Sequence, residues 1–355
     1  MDIKSLYMDE LVNEMKKNNN QPVFRAKQIY EWIHGKLAAS YEDMTNLSKE
    51  LRNILKEQYP LTVLEAVDRL VSEKDGTTKY LFRLNDNRVI ESVLMKYNYG
   101  NSVCISSQVG CRMGCTFCAS TIGGKERDLT ASEMLDQIYR IQTMSGERVS
   151  NVVVMGTGEP LDNYDNLVRF IRILSDTAGL NISARNITVS TCGIPDKIRL
   201  LADEELPITL ALSLHAPNNE IRKKLMPIAR QHELSDVMDA FGYYYERTGR
   251  RLTFEYCLTE GINDEEEHAR ELSKLLRGYN CHVNLIPINP IKERSFIQSN
   301  SNKIQKFKNI LEKYRINVTI RREMGSDINA ACGQLRKSYL EHNSKYGDGE
   351  YLPKA

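Results

Sequence analysis

The chain has 355 residues, 41% apolar and 27% charged, with 48 Lys and Arg against 47 Asp and Glu for a net charge of +1. This length supports a large core with a smaller module beside it, and the composition excludes general disorder. The balanced charge excludes a uniformly basic nucleic-acid coat but leaves a local basic patch open. The longest apolar runs, such as Val152–Met155 and Ile208–Leu212, are far short of the roughly 18 residues of a membrane span, so no membrane association is expected. The N-terminal stretch MDIKSLYMDELVNEMKK is charged and amphipathic, with no signal-peptide core, which predicts a cytoplasmic, reducing setting.

Residues 1–60 are helix-patterned, with one apolar face at Leu6, Leu11 and Met15, a second at Phe24, Ile29, Trp32 and Ile33, and a third from Met44 to Leu55. They predict a small helical accessory domain. Over 61–102 the period becomes strand-like: TKYLFRL, a turn at Asn85–Asp86–Asn87, then RVIESVLM, a β-hairpin connector. From 103 to 341 strand and helix patterns alternate, with strands expected at Val103–Ser107, Asn151–Met155, Asn186–Ser190, Thr209–Leu214, Arg251–Cys257 and Cys281–Ile286, and a further one at Asn317–Arg321. One intervening helix starts at Thr130 with Glu133 three residues on, a capping-box signal. Six βα units predict an α/β fold, a partial (βα)6 barrel with parallel strands and its chemistry at their C-terminal ends. Residues 342–355 form a polar tail.

Eight cysteines are present: Cys104, Cys111, Cys115, Cys118, Cys192, Cys257, Cys281 and Cys332. Four fall between 104 and 118, and Cys111, Cys115 and Cys118 make a CxxxCxxC triplet after the first barrel strand. Ferredoxin-type clusters take four cysteines, so a triplet suits a [4Fe-4S] cluster with one iron open to an exogenous ligand. The alternative is a structural zinc or iron–sulfur site completed by a distant cysteine, within a nucleic-acid-binding protein without chemistry; zinc more often brings a second paired motif, and none is present. Cys192, Cys257 and Cys281 fall in or beside strand patterns and are expected to be buried packing residues.

The triplet in this position resembles the radical S-adenosylmethionine (SAM) superfamily, in which the open iron chelates SAM and one-electron reduction releases a 5′-deoxyadenosyl radical. Further stretches appear in order: ESVLMKYNYGNSVCISSQVGCRMGCTFCASTIGG, VVVMGTGEPLDNYDNL, ITVSTCGI, ALSLHAPN, RKKLMPI, FEYCLTEGINDEEEHA, HVNLIPINP and GSDINAACGQL. Together they resemble the RNA adenine-C2 methyltransferases, the RlmN family, over nearly the whole chain. The resemblance implies a radical SAM barrel, two SAM molecules per turnover, and an adenosine substrate in 23S rRNA and in tRNA beside the anticodon. It also implies a flavodoxin-type electron donor and a monomeric protein.

Carbon 2 of adenine is electron-poor, so covalent catalysis is implied. Cys332 matches the methyl-carrying cysteine, Glu91 the general base and Cys104 the resolving cysteine that forms a transient disulfide with Cys332. Taken alone, Cys332 reads equally as a small buried residue, and Glu91 as a solvent-facing strand residue. Gly158 and Glu159 in Gly156-Thr157-Gly158-Glu159-Pro160, with Ser190, Ser213, Leu214, His215 and Asn289 at later strand ends, match SAM-binding positions. Thr157 departs from the larger apolar residue frequent there. Pro160 favours C2 over the related C8 methyltransferases of the antibiotic-resistance type. RNA is expected to meet two basic segments: Lys303, Lys306, Lys308, Lys313, Arg315, Arg321 and Arg322; and Arg222, Lys223, Lys224 and Arg230.

Overall fold

A computed structural model describes residues 2–289 and 296–330. Cys332 and the tail from 342 lie outside the described residues.

The N-terminal module contains α1 (Met8–Asn19), α2 (Val23–Tyr30) and α3 (Lys49–Gln58). It has its own apolar core, built from residues such as Leu11, Met15, Ile29, Ile33, Met44 and Leu55, most of them on the faces the periodicity predicts. The module joins the barrel through polar contacts. Lys4 Nζ lies 2.5 Å from Asp136 Oδ1, Asp136 Oδ2 accepts from the Leu64 N–H at 2.6 Å, and Arg169 donates to Glu10 at 2.5 and 3.0 Å.

The predicted hairpin is present as β2 (Thr78–Arg83) and β3 (Val89–Tyr97), preceded by β1 (Glu65–Val71). These strands are one antiparallel wing of a ten-stranded sheet, because β3 also pairs with β4 (Gly100–Ile105). A two-stranded ribbon of β5 (Gln108–Gly110) and β6 (Lys125–Asp128) stands apart. The main sheet continues in parallel through β7 (Val149–Val154), β8 (Ile187–Thr191), β9 (Thr209–Ser213), β10 (Leu252–Leu258), β11 (Cys281–Pro287) and β12 (Asn317–Ile320). The seventh parallel strand, β12, is the further one expected at Asn317–Arg321 after the six.

The crossover helices are α4 (Ala131–Ser145), α5 (Tyr164–Leu174), α6 (Pro195–Asp203), α7 (Asn219–Leu225), α8 (Leu234–Thr248), α9 (Glu266–Leu275) and α10 (Ser301–Lys313). The capping box forms as read: Glu133 N–H donates to Thr130 Oγ1 at 3.2 Å and Thr130 N–H to Glu133 Oε2 at 2.9 Å. The strand runs are almost continuously apolar because helices cover one face and the cavity side closes the other. Among the described residues no helix is long and apolar enough to cross a membrane.

Candidate active site

The loop bearing the cysteine triplet leaves β5 and returns through β6, so the ribbon clamps its base. Cys111 N–H donates to Gly124 O at 3.1 Å. Gly110, at φ +75°, has a close backbone neighbour that a Cβ would strike. On the far side Thr116 donates its N–H at 2.9 Å and its hydroxyl at 3.0 Å to Leu225 O, tying the loop to α7. Arg112 and Lys125 both reach Asp162, the latter at 2.9 Å. The loop is therefore braced from three directions.

Cys111, Cys115 and Cys118 all face a cavity with about 1030 Å³ of empty space, part of it open to solvent. Each thiolate would sense the charge of the others, and burial pushes the Cys111 thiol up to about 12 and raises that of Cys115 well above its ordinary value. Thiols so disposed ionise when a metal replaces their protons. Among the described residues no three Cys, His, Asp or Glu side chains converge as tightly as a single ion requires. The CxxxCxxC spacing on one loop suits three thiolates to a polynuclear cluster with one iron left open.

The remaining wall comes from strand ends, as barrel logic predicts: Met155, Ser190, Thr191, Ser213, Glu255, Cys257, Ile286 and Asn289 among others. Two glycines let β7 turn under it. A Cβ at Gly156 would lie 2.7 Å from Ile105 O, and one at Gly158, where φ is +114°, would lie 2.7 Å from both Gln108 Cβ and Ser107 Oγ. Only glycine fits these positions. Glu159 is buried; its Oε2 accepts from Cys192 N–H at 2.8 Å and its Oε1 from Leu161 N–H at 3.1 Å. Desolvation raises its pKa despite these bonds and further ones from the Thr191 and Cys192 side chains.

Ser190 Oγ and Ser213 Oγ lie 3.1 Å apart on the wall. His215 sits at φ +55°, packed edge-on to Phe117 at 4.9 Å. Its Nδ1 accepts from Cys257 N–H at 3.0 Å, and burial lowers its pKa to about 3. The ring is therefore neutral, with its proton on Nε2, and is a hydrogen-bond donor and not a cation. Leu214 is fully buried and its side chain is not on the cavity wall; its own N–H donates to Glu255 O at 3.0 Å. A ligand contact at this position falls to its backbone carbonyl.

A second cavity adjoins the first. Met155, Ile286, Asn289 and Arg321 line both, and Cys104, Met95, Met324 and Ala330 line the second. Glu91 is buried on β3, with Oε1 3.5 Å from Lys79 Nζ. Val93 opposes both Lys79 and Cys104 in register, so alternation puts Glu91, Lys79 and Cys104 on one face of the sheet. Lys79 also donates to Asn329 O at 3.3 Å.

Several expectations change. Arg222 belongs to no basic surface: it is fully buried, because α7 turns that face onto the cysteine loop. Lys223 pairs with Glu233 at 2.5 Å and Lys224 with Glu220 at 2.8 Å. Lys303 pairs with Glu265 at 2.7 Å and Lys308 with Glu312 at 2.8 Å, so part of the acidic balance lies inside the basic segments. Cys192 and Cys257 are buried but stand on the cavity wall, while Cys281 packs in the core. Glu255 and Lys79 were missed. The signal for Glu255 was an acid inside the apolar strand LTFEYCL, where burial follows from the pattern.

Comparisons with known proteins agree with this geometry. The radical SAM superfamily matches residues 105–272, and the ribosomal RNA large subunit methyltransferase N-terminal domain matches residues 1–60. A probable dual-specificity RNA methyltransferase RlmN of Lachnoclostridium phytofermentans is 64% identical over 341 residues, covering 96% of both chains. Its counterpart in Lachnospira eligens is 61% identical over 350 residues, covering 99% of both. The crystal structure of a radical SAM methyltransferase from Sphaerobacter thermophilus superposes with a TM-score of 0.91 at 43% identity, covering 95% of this chain and 99% of that one. With relatives this similar along almost its full length and a triplet loop placed at the mouth of a parallel barrel, the chain belongs to the RlmN family of radical SAM methyltransferases.

Proposed function

We propose that the protein methylates carbon 2 of an adenosine in 23S rRNA and of the adenosine 3′ to the anticodon in tRNA, with Cys332 as methyl carrier and Cys104 as its resolving partner. The observation that carries this reading is the meeting of two cavities. One holds the cysteine triplet, the other is lined by Cys104 and Ala330, and four residues line both. Cys332 lies two residues beyond Ala330, a span of at most about 7 Å of extended chain. The relatives' designation as dual-specificity RNA methyltransferases supports both substrates.

Cys111, Cys115 and Cys118 would hold the [4Fe-4S] cluster, and Glu159, Ser190, Ser213, His215 and Asn289 would orient SAM at it. The cluster and SAM supply one-electron chemistry that generates a carbon radical, using two SAM molecules per turnover and a flavodoxin-type electron donor. The Cys332 thiolate takes a methyl group and presents it to adenine. Glu91, paired with Lys79, takes the proton from C2. The Cys104 thiolate then attacks Cys332 Sγ; an S–S bond forms, the S–C bond breaks, and its electron pair stays with the methylene carbon, which takes up a proton to become the new methyl group. The adenine leaves its stack to reach this site, and Arg321 and Arg322, both at the second cavity, meet the RNA there.

The reaction tests this directly. Cys104→Ala is expected to accumulate a covalent protein–RNA adduct that survives denaturing electrophoresis, with RNA digests of the parent reaction containing 2-methyladenosine. Normal turnover by Cys104→Ala removes the resolving role. 8-Methyladenosine as sole product overturns the C2 assignment.

A further inference from the structure

Arg222 is the most deeply buried cation beside the active site, with no exposed surface. Its helix neighbours Lys223 and Lys224 point to solvent and meet carboxylates. Among the described residues Arg222 meets none: Nη2 donates to Cys192 O at 2.5 Å, and Nε and Nη1 have no hydrogen-bond partner there. A buried guanidinium with two idle donors costs several kcal/mol unless an anion compensates it. The Glu159 carboxylate is engaged instead by the Cys192 and Leu161 N–H groups.

The surroundings identify the missing anion. Apolar residues of α7 and the turn after it (Ile221, Leu225, Met226) pack against Cys111 and Met113, with Cys115 and Phe117 beside them. Thr116 is tied to Leu225 O. The charge of Arg222 is felt at Cys115 and Cys192, and Cys115 is a triplet ligand. Bound to iron, that thiolate and the cluster behind it bring negative charge to the side of the loop that Arg222 faces.

We propose that Arg222 is a positioning residue that compensates the negative charge of the iron–sulfur cluster from behind Cys115 and thereby raises its reduction potential. This rests on the reading of the triplet as a cluster site. One-electron reduction adds one negative charge to the cluster, with no proton and no bond formed. A fixed cation nearby therefore favours the reduced form, since net charge and dielectric set such potentials. Uptake of the electron from the donor becomes easier, and so does holding the cluster at all.

The experiment uses the full chain, reconstituted anaerobically, with Arg222→Met to keep volume and remove charge and Arg222→Lys to keep charge. Iron per chain is counted, and the midpoint is followed by electron paramagnetic resonance during titration with dithionite. Thermal unfolding of the chelator-stripped proteins is measured in parallel. Arg222→Met is expected to shift the midpoint to more negative potential, with Arg222→Lys between it and the parent. Stripped Arg222→Met is expected to melt no lower than the stripped parent, because the unpaired charge is gone. Iron loss by Arg222→Met with an unchanged stripped melting temperature, restored by Arg222→Lys, also supports the proposal. An unchanged midpoint at full iron overturns it. So does a stripped Arg222→Met destabilised as much as the loaded one, which makes the residue structural. A parent chain that binds no iron overturns the cluster reading instead, with no bearing on where Arg222 points.

Discussion

At the seam between the N-terminal module and the barrel, Lys4 and Asp136 are buried and meet protein partners on every side: Lys4 Nζ reaches Thr62 O and Asp136 Oδ1, and Asp136 Oδ2 accepts from Leu64 N–H. Around the cavity, Arg222 and Glu255 are buried as deeply, yet among the described residues Arg222 Nε and Nη1 and Glu255 Oε2 have no hydrogen-bond partner. The same kinds of charged residue are thus used in two ways. A saturated network holds two bodies together. An unsaturated one leaves capacity for groups the folded chain does not itself supply.

The largest way to break this contrast is to remove one of the cysteines proposed to hold the cluster. Cys115→Ala is expected to abolish iron retention and RNA methylation together while the chain stays folded, measured as iron per chain and methyl transfer. Retention of full activity would deny the cavity its purpose. On the saturated side, Lys4→Met strands Asp136 and is expected to cost about 3–5 kcal/mol of stability in urea unfolding. Lys4→Met with Asp136→Leu is expected to recover part of that loss, since the stranded charge is gone.

One group at the seam departs from saturation and gives a pH dependence. His34 Nδ1 lies 2.8 Å from Tyr139 Oη, and among the described residues its Nε2 has no hydrogen-bond partner. Burial lowers its pKa from 6.5 to about 3. Between those values the unfolded chain binds a proton that the folded chain refuses, so stability falls as pH drops from 6.5 toward 3. The contribution is about 1.4 kcal/mol per pH unit. His34→Gln is expected to flatten that part of the stability–pH curve. The smallest effect is expected from Glu255→Gln. Its Oε1 keeps the bond from Asn284, so unfolding free energy changes by less than about 1 kcal/mol, in contrast to Lys4→Met at similar burial.

Much of this was readable in the sequence because the signals were local. The triplet, the capping box at Thr130 and the strand runs each depend on residues a few positions apart; the capping box formed as read, and the strand runs within a few residues of where they were expected. The glycines under β7 were visible as a motif, although their necessity came from Ile105 and Ser107, some fifty residues earlier. What could not be read was long-range polar pairing. Lys303 looked like an RNA contact until α9 brought Glu265 beside it. Arg222 looked like part of a basic surface because RKKL gives no hint of which residue the helix turns inward. Lys79 carried no local signal at all; only strand pairing places it by Glu91, and only the chain beyond β12 places it by Asn329.

The most direct measurement is peptide mass spectrometry of the protein isolated anaerobically from growing cells. A methyl group located on Cys332 is predicted, absent from Cys192, Cys257 and Cys281. An unmodified Cys332 in protein that methylates adenine in the same preparation would contradict the covalent-carrier account.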